Sequence, residues 1–140
     1  MSMRRLVTCV IFSTLAACSG GTLYTTLAGT SSAPPVDAYT CVAKQLETLE
    51  YRRTQYDTKA HFIIGEKRNE EDAGNGTTFR KTVDILEVYV KTGASGASDL
   101  TVKARTFDEV SNTRGVDRQE RKSTNRALAD ARKLGLACAS

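Results

Sequence analysis

The chain has 140 residues, and its 20 Lys and Arg against 16 Asp and Glu leave a formal net charge of only +4. One domain with a core of its own fits this length, and so slight a basic balance is weak evidence for nucleic acid as a partner. Beyond residue 17 no apolar run approaches the roughly 20 residues that cross a bilayer as a helix.

Arg4 and Arg5 open the chain, residues 6–15 follow without a charge, and then come Leu15, Ala16, Ala17 and Cys18. The uncharged run is too short to cross a hydrocarbon core of about 30 Å. It has the length of a signal-peptide apolar region ending in small residues; the other reading is the buried N-terminal helix of a cytosolic domain. Leu15-Ala16-Ala17-Cys18 resembles the lipobox of bacterial lipoproteins, a likeness confined to the first eighteen residues. The resemblance implies cleavage between Ala17 and Cys18, a diacylglyceryl thioether formed by the Cys18 thiolate, and acylation of the new amino group. It implies a periplasm-facing place in the cell envelope, attached to the membrane through that lipid. Ser19, rather than aspartate, follows Cys18 and favours the outer membrane over the inner. Arg4-Arg5 followed by Leu6-Val7-Thr8 fits twin-arginine export poorly, so export of an unfolded chain is expected, with no cofactor beyond the covalent lipid.

On this reading residues 1–17 are a signal peptide, 18–34 a flexible tether and 35–140 a single domain. Cleavage removes Arg4 and Arg5, which halves the formal net charge of +4. It also removes Cys9, and Cys18 carries lipid, so Cys41 and Cys138 remain. In an oxidising compartment the pair is expected as a disulfide, contributing about 4–5 kcal/mol in the chain-entropy model. Two free buried thiols are the alternative.

Residues 18–33 are rich in Gly, Ser and Thr, as a tether should be, although Leu23, Tyr24 and Leu27 are apolar enough to dock on the domain or on the membrane surface. Pro34-Pro35 and Asp37 mark a helix start. Ala38, Cys41, Val42, Leu46 and Leu49 follow at helical spacing. Residues 50–67 read as one long strand, with Tyr56, Thr58, Ala60, Phe62 and Ile64 towards the core. A charged connection with the turn signal Gly74-Asn75-Gly76 leads to a second strand over residues 79–91. Its apolar residues change parity between Val83 and Ile85 and the set Leu86, Val88 and Val90, which predicts a bulge or a strand covered on both faces. Leu100, Val102, Ala104 and Thr106 alternate with Thr101, Lys103 and Arg105, the pattern of a half-buried strand. Residues 111–119 read as irregular. A last helix starts at Ser123 or Thr124, with Leu128, Ala131, Leu134, Gly135 and Cys138 on its apolar stripe.

The predicted fold is α+β, in the order α-β-β-β-α: an antiparallel three-stranded sheet with the N- and C-terminal helices on one face, the helices antiparallel and joined by Cys41–Cys138. The opposite sheet face is then open. Lys59, His61, Lys103 and Arg105 are the candidate binding residues on it, with an apolar patch from Leu86, Val88 and Val90.

No residue pattern carries catalysis or a metal. His61 is the sole histidine, on the polar parity of its strand, and a zinc site needs several ligands. Glu70-Glu71-Asp72 with Asn75 lacks the ligand spacing of a calcium loop. Asp84 and Glu87 are the best pair for a carboxylate-dependent hydrolase of envelope polysaccharide, a separation that only space can fix. The basic stretch from Arg114 to Lys133 would suit an anionic surface, or be an ordinary solvated helix face. The expectation is a non-enzymatic envelope lipoprotein whose domain binds a protein partner or itself, with no nucleic acid. A small hydrolase or a small-ligand carrier is the alternative.

Overall fold

The computed structural model describes residues 21–70 and 79–139. The strands are β1 (Thr25–Ser31), β2 (Arg52–Asp57), β3 (Phe62–Glu70), β4 (Phe79–Thr92), β5 (Ser98–Asn112) and β6 (Gly115–Arg121). The helices are α1 (Pro35–Thr48), between β1 and β2, and α2 (Asn125–Cys138), after β6. The expectation of three strands is therefore wrong: among the described residues the sheet has six, all antiparallel, in the order β1-β5-β4-β3-β2 with β6 also on β5. The long β5 pairs β1 along Ser98–Ala104 and β6 along Thr106–Asn112, so those two short strands lie end to end on one side of it.

The three missed strands have separate causes. Residues 50–67 are not one strand, because the chain reverses after Asp57. Its carboxylate oxygen Oδ1 accepts from the backbone N–H of Lys59 at 2.8 Å and of Ala60 at 2.9 Å, and His61 takes a positive φ of 50°. An Asx turn of this kind uses neither Gly nor Pro, so the sequence alternation continues through it unbroken. The turn also reverses the expected parity: Ile63 is fully buried, whereas Phe62 and Ile64 face away from the helices and Tyr56 is exposed. Residues 25–31, taken as part of a tether, form β1. Most of residues 111–119, taken as irregular, belong to strands: the end of β5 and then β6 (Gly115–Arg121), which is almost wholly exposed and has no apolar alternation to betray it.

β4 contains no bulge; its register with β5 is unbroken from Phe79↔Ser111 to Thr92↔Ser98. The change of parity reflects two faces that both exclude water. Leu86, Val88 and Val90 face the helices and are buried with Leu100, Val102 and Ala104. They form no exposed apolar patch. Ala38, Val42 and Leu46 of α1 and Ala127, Ala131 and Leu134 of α2 close this core from above.

The caps follow from the chemistry of their residues. Pro34 and Pro35 stand at the N-cap and first position of α1. Thr124 caps α2 by accepting from the N–H of Ala127 at 3.1 Å. Cys41 and Cys138 are disulfide-bonded across 97 residues, with Cα atoms 5.8 Å apart. Cys41 lies midway along α1 and Cys138 ends α2, while Tyr51, just past the end of α1, hydrogen-bonds Asp130 in the first half of α2. The helices are therefore antiparallel on one sheet face.

Candidate binding surfaces

The sheet face turned away from the helices carries alternating charge. From β5 it receives Thr101, Lys103, Arg105, Phe107 and Glu109, from β4 Val83, Ile85 and Glu87, from β3 Glu66 and Arg68, and from β6 Arg118 and Glu120, as the register requires. Arg68 bonds Glu66 at 2.8 Å and Glu109 at 3.3 Å; Arg118 bonds Glu109 at 2.8 Å and approaches Glu66 at 3.6 Å. These four groups close a ring of alternating sign that crosses over β4. Val83, set between Arg68 and Phe107 in register, is fully buried although neither described helix covers it.

Beside the ring, Arg105 donates to Glu120 through Nε at 2.8 Å and Nη2 at 3.0 Å, and to Glu87 through Nη1 at 2.8 Å. Lys103 approaches Glu87 at 3.8 Å and lies 4.7 Å from the Tyr24 ring centre. The guanidinium carbons of Arg105 and Arg118 lie 5.0 and 5.8 Å from the centre of the Phe107 ring, within reach of cation–π attraction. The charge pairing sets the protonation of the acids: hydrogen bonds from Arg118 and Arg105 hold the carboxyls of Glu109 and Glu120 below their ordinary range. Arg105 is held more firmly protonated still, by Glu120 first and Glu87 second.

Of the four sequence candidates, this face unites only Lys103 and Arg105. Lys59 and His61 lie in the β2–β3 turn, not on a strand. The His61 ring is 5.7 Å from that of Tyr39 in α1, which places it on the helix side; burial raises the Tyr39 phenol. Sequence reasoning missed Phe107, Arg118, Glu66, Glu109 and Glu120. Continuing the alternation of residues 101–105 by two more steps would have found Phe107 and Glu109.

The helix side of the sheet holds two buried acids. Asp84 Oδ1 accepts from Thr106 at 2.8 Å and Thr124 at 2.9 Å, and Oδ2 accepts from Asn69 and Arg126, both at 3.1 Å. Four donors saturate the carboxylate, which ties α2 to β3, β4 and β5. Asp130 accepts from the Tyr51 hydroxyl at 3.1 Å and lies 3.8 Å from Lys67. Burial, and then the Asp130 charge, push the Tyr51 phenol far above its ordinary range. Glu87 is on the opposite face from Asp84, so the two acids considered as a hydrolase pair do not share a site. Glu71, Asp72 and Asn75, the calcium-loop candidates beyond Glu70, lie outside the described residues, as do Ala17 and Cys18.

The basic stretch from Arg114 to Lys133 is divided rather than pooled. Arg118 belongs to the ring, Arg121 pairs with Asp108 at 3.2 Å, Arg126 holds Asp84, and Arg132 and Lys133 are exposed on α2.

A third surface lies at the β1 edge. Between β1 and α2 runs an apolar groove of about 370 Å³, lined by Leu27, Gly29, Ala131, Gly135 and Leu136, with Arg132 beside it. Among the described residues no helix is long and apolar enough to cross a membrane.

No protein-family model matches the chain, and no curated protein does. Among solved structures the chain is similar to a DUF4468 family protein from Bacteroides ovatus ATCC 8483. The two are 12% identical over 81% of this chain and 78% of that one, with a TM-score of 0.42. A likeness this distant carries no argument about activity.

Proposed function

We propose that this chain is a lipid-anchored protein of the bacterial envelope, and that its domain is a non-catalytic accessory module that binds a partner protein through the helix-free sheet face. The anchor reading rests on Leu15-Ala16-Ala17-Cys18 and the charge and length pattern before it. The binding reading rests on one observation above all: Phe107 set between Arg105 and Arg118 on a face that neither described helix covers. Aromatic residues and arginine are the types enriched at protein interfaces. Here both are held in place before any partner arrives, which lowers the ordering cost of association. Ser19 after Cys18 favours the outer membrane.

Two experiments test the halves separately. For the anchor, cells are labelled with radioactive palmitate. Label is expected on the native chain and absent from Cys18→Ala, which also leaves the membrane fraction; an unlabelled native chain defeats the anchor reading. For the face, a photo-crosslinking residue replaces Thr101 in intact cells. A discrete adduct is expected that Phe107→Ala abolishes. An adduct unchanged by Phe107→Ala, or none from Thr101 while one forms from Val36 on α1, defeats the binding reading.

A further inference from the structure

We infer that two copies of this chain pair through β1, edge to edge and antiparallel, with the copies of α2 packed over the joint. This inference is independent of the lipid anchor and of any partner on the helix-free face.

The three edges of the sheet differ in how they are protected. β2 carries Arg52, Arg53 and Asp57 in six residues, and its register shifts between Arg53 and Gln55. β6 carries Asp117, Arg118, Glu120 and Arg121 in seven. Charges and irregular register are the ordinary devices that stop an edge strand from recruiting another strand. β1 has none of them. Its seven residues, Thr-Thr-Leu-Ala-Gly-Thr-Ser, include no charge and no proline, and they pair with β5 residue for residue without a shift. Among the described residues no strand pairs with its outer edge.

The position of α2 indicates what completes that edge. α2 packs on β5, β1 and β4, so it stands inside β1 and leaves the β1 edge uncovered on the groove side. A second β1 added at about 4.8 Å sets the second α2 across an apolar groove from the first, lined by Leu27, Gly29, Gly135 and Leu136. The groove between α2 and the β1 edge is thus the space that a second α2 would roof.

The register follows from one contact. A Cβ on Gly29 would lie 3.3 Å from that of Ala139, so the end of α2 stands beside Gly29. α2 and β1 run in the same direction, since α2 starts near Thr106 and β1 runs from the level of Ala104 to that of Ser98. One strand residue back from Gly29 is about two helix residues, which sets Ala137 level with Ala28 and Leu136 about 1.5 Å before it. A twofold axis through Ala28 then brings Leu136, 81% exposed in the single chain, against its own copy. It pairs Thr26 with Thr30 of the second copy. Arg132, for which no ion pair to a carboxylate is found among the described residues, falls near the carboxyl end of the other α2, where the last carbonyls are partly negative.

Charge swaps on β1 in the full chain test the register. Thr26 and Thr30 are exposed, and the pairing sets each opposite the other. Thr26→Lys with Thr30→Lys places like charges across both pairs and is expected to weaken association roughly tenfold or more. Thr26→Lys with Thr30→Glu places opposite charges there and is expected to restore it. Sedimentation in density-matched detergent reads the mass, with circular dichroism to compare the two folds. In membranes, mild oxidation of Ala28→Cys is expected to give a disulfide-linked dimer, and oxidation of Tyr56→Cys on the β2 edge none. A native chain that sediments as a monomer, two charge variants that associate equally, or an Ala28→Cys adduct to a different protein would each overturn the inference.

Discussion

Asp84 and Glu87 stand close together on β4 and serve opposite faces of the sheet. Asp84 is fully buried under the start of α2, and Glu87 joins the Arg105 pair on the helix-free side. Asp84 is thereby the joint between the sheet and α2. Removing a buried charge that satisfies four donors leaves the hydroxyls of Thr106 and Thr124 and the N–H groups of Arg126 and Asn69 without that acceptor. Asp84→Ala is expected to cost about 3–5 kcal/mol, and Asp84→Asn, which keeps one acceptor, less. Urea denaturation measures both; a loss below about 1 kcal/mol, the net worth of one ordinary hydrogen bond, would show that the site repacks.

Gly65 of β3 lies beneath the turn that follows α1. A Cβ there would stand 2.9 Å from Tyr51 Cβ and 3.0 Å from Leu46 Cδ2, and both residues are in the core. Gly65→Ala is therefore expected to destabilise by about 1–3 kcal/mol through overpacking, the opposite of what Gly to Ala does in an open strand. The shift in thermal midpoint decides the sign.

The disulfide closes a loop with a sequence separation of 97. Cys41→Ser with Cys138→Ser is expected to lower stability by about 2–5 kcal/mol, mainly by freeing the unfolded chain. The oxidised native chain should also migrate faster than the reduced one on a denaturing gel. Equal mobility would mean that the bond does not form in the cell.

Acid should weaken the charge pairing on the helix-free face. The Glu109 and Glu120 carboxyls are held below their ordinary range by Arg118 and Arg105. A depressed folded value contributes stability that is complete above the unfolded value, about 4.3 for glutamate, and is lost as pH falls through the folded value. Denaturation midpoints should be level from about pH 5 to 7 and drop below about pH 4. Arg118→Gln should flatten that drop, because Glu109 then has less to lose. At the other extreme the raised Tyr51 phenol has the reverse sign: its contribution is present below the ordinary tyrosine value and fades as pH rises above it. Tyr51→Phe should flatten the alkaline limb.

Much of the fold was legible where one residue's chemistry settles a local question. Pro34-Pro35 and Thr124 mark helix starts because proline removes one of the unpaired N–H groups of a first turn and threonine accepts from another. The alternation of residues 100–106 shows which parity of β5 enters the core. The candidate site was legible only in part. Lys103 and Arg105 were found because they lie on that same alternating strand. Lys59 and His61 were misplaced because Asp57 makes a turn without the usual turn residues.

What the sequence by itself determined is therefore local: helix starts, the half-buried parity of residues 100–106, and the two cysteines that pair. The tertiary structure decided what depends on a distant neighbour. β6 has no apolar face and is a strand because Arg118 and Glu120 meet Glu109 and Arg105 of β5. β1 looks like a linker and is a strand because β5 is long enough to pair with it after serving β6. Val83 is buried by a ring of charges drawn from three other strands. Periodicity records which residues share a face. It does not record what covers that face, because coverage is a contact between segments that the chain brings together only on folding.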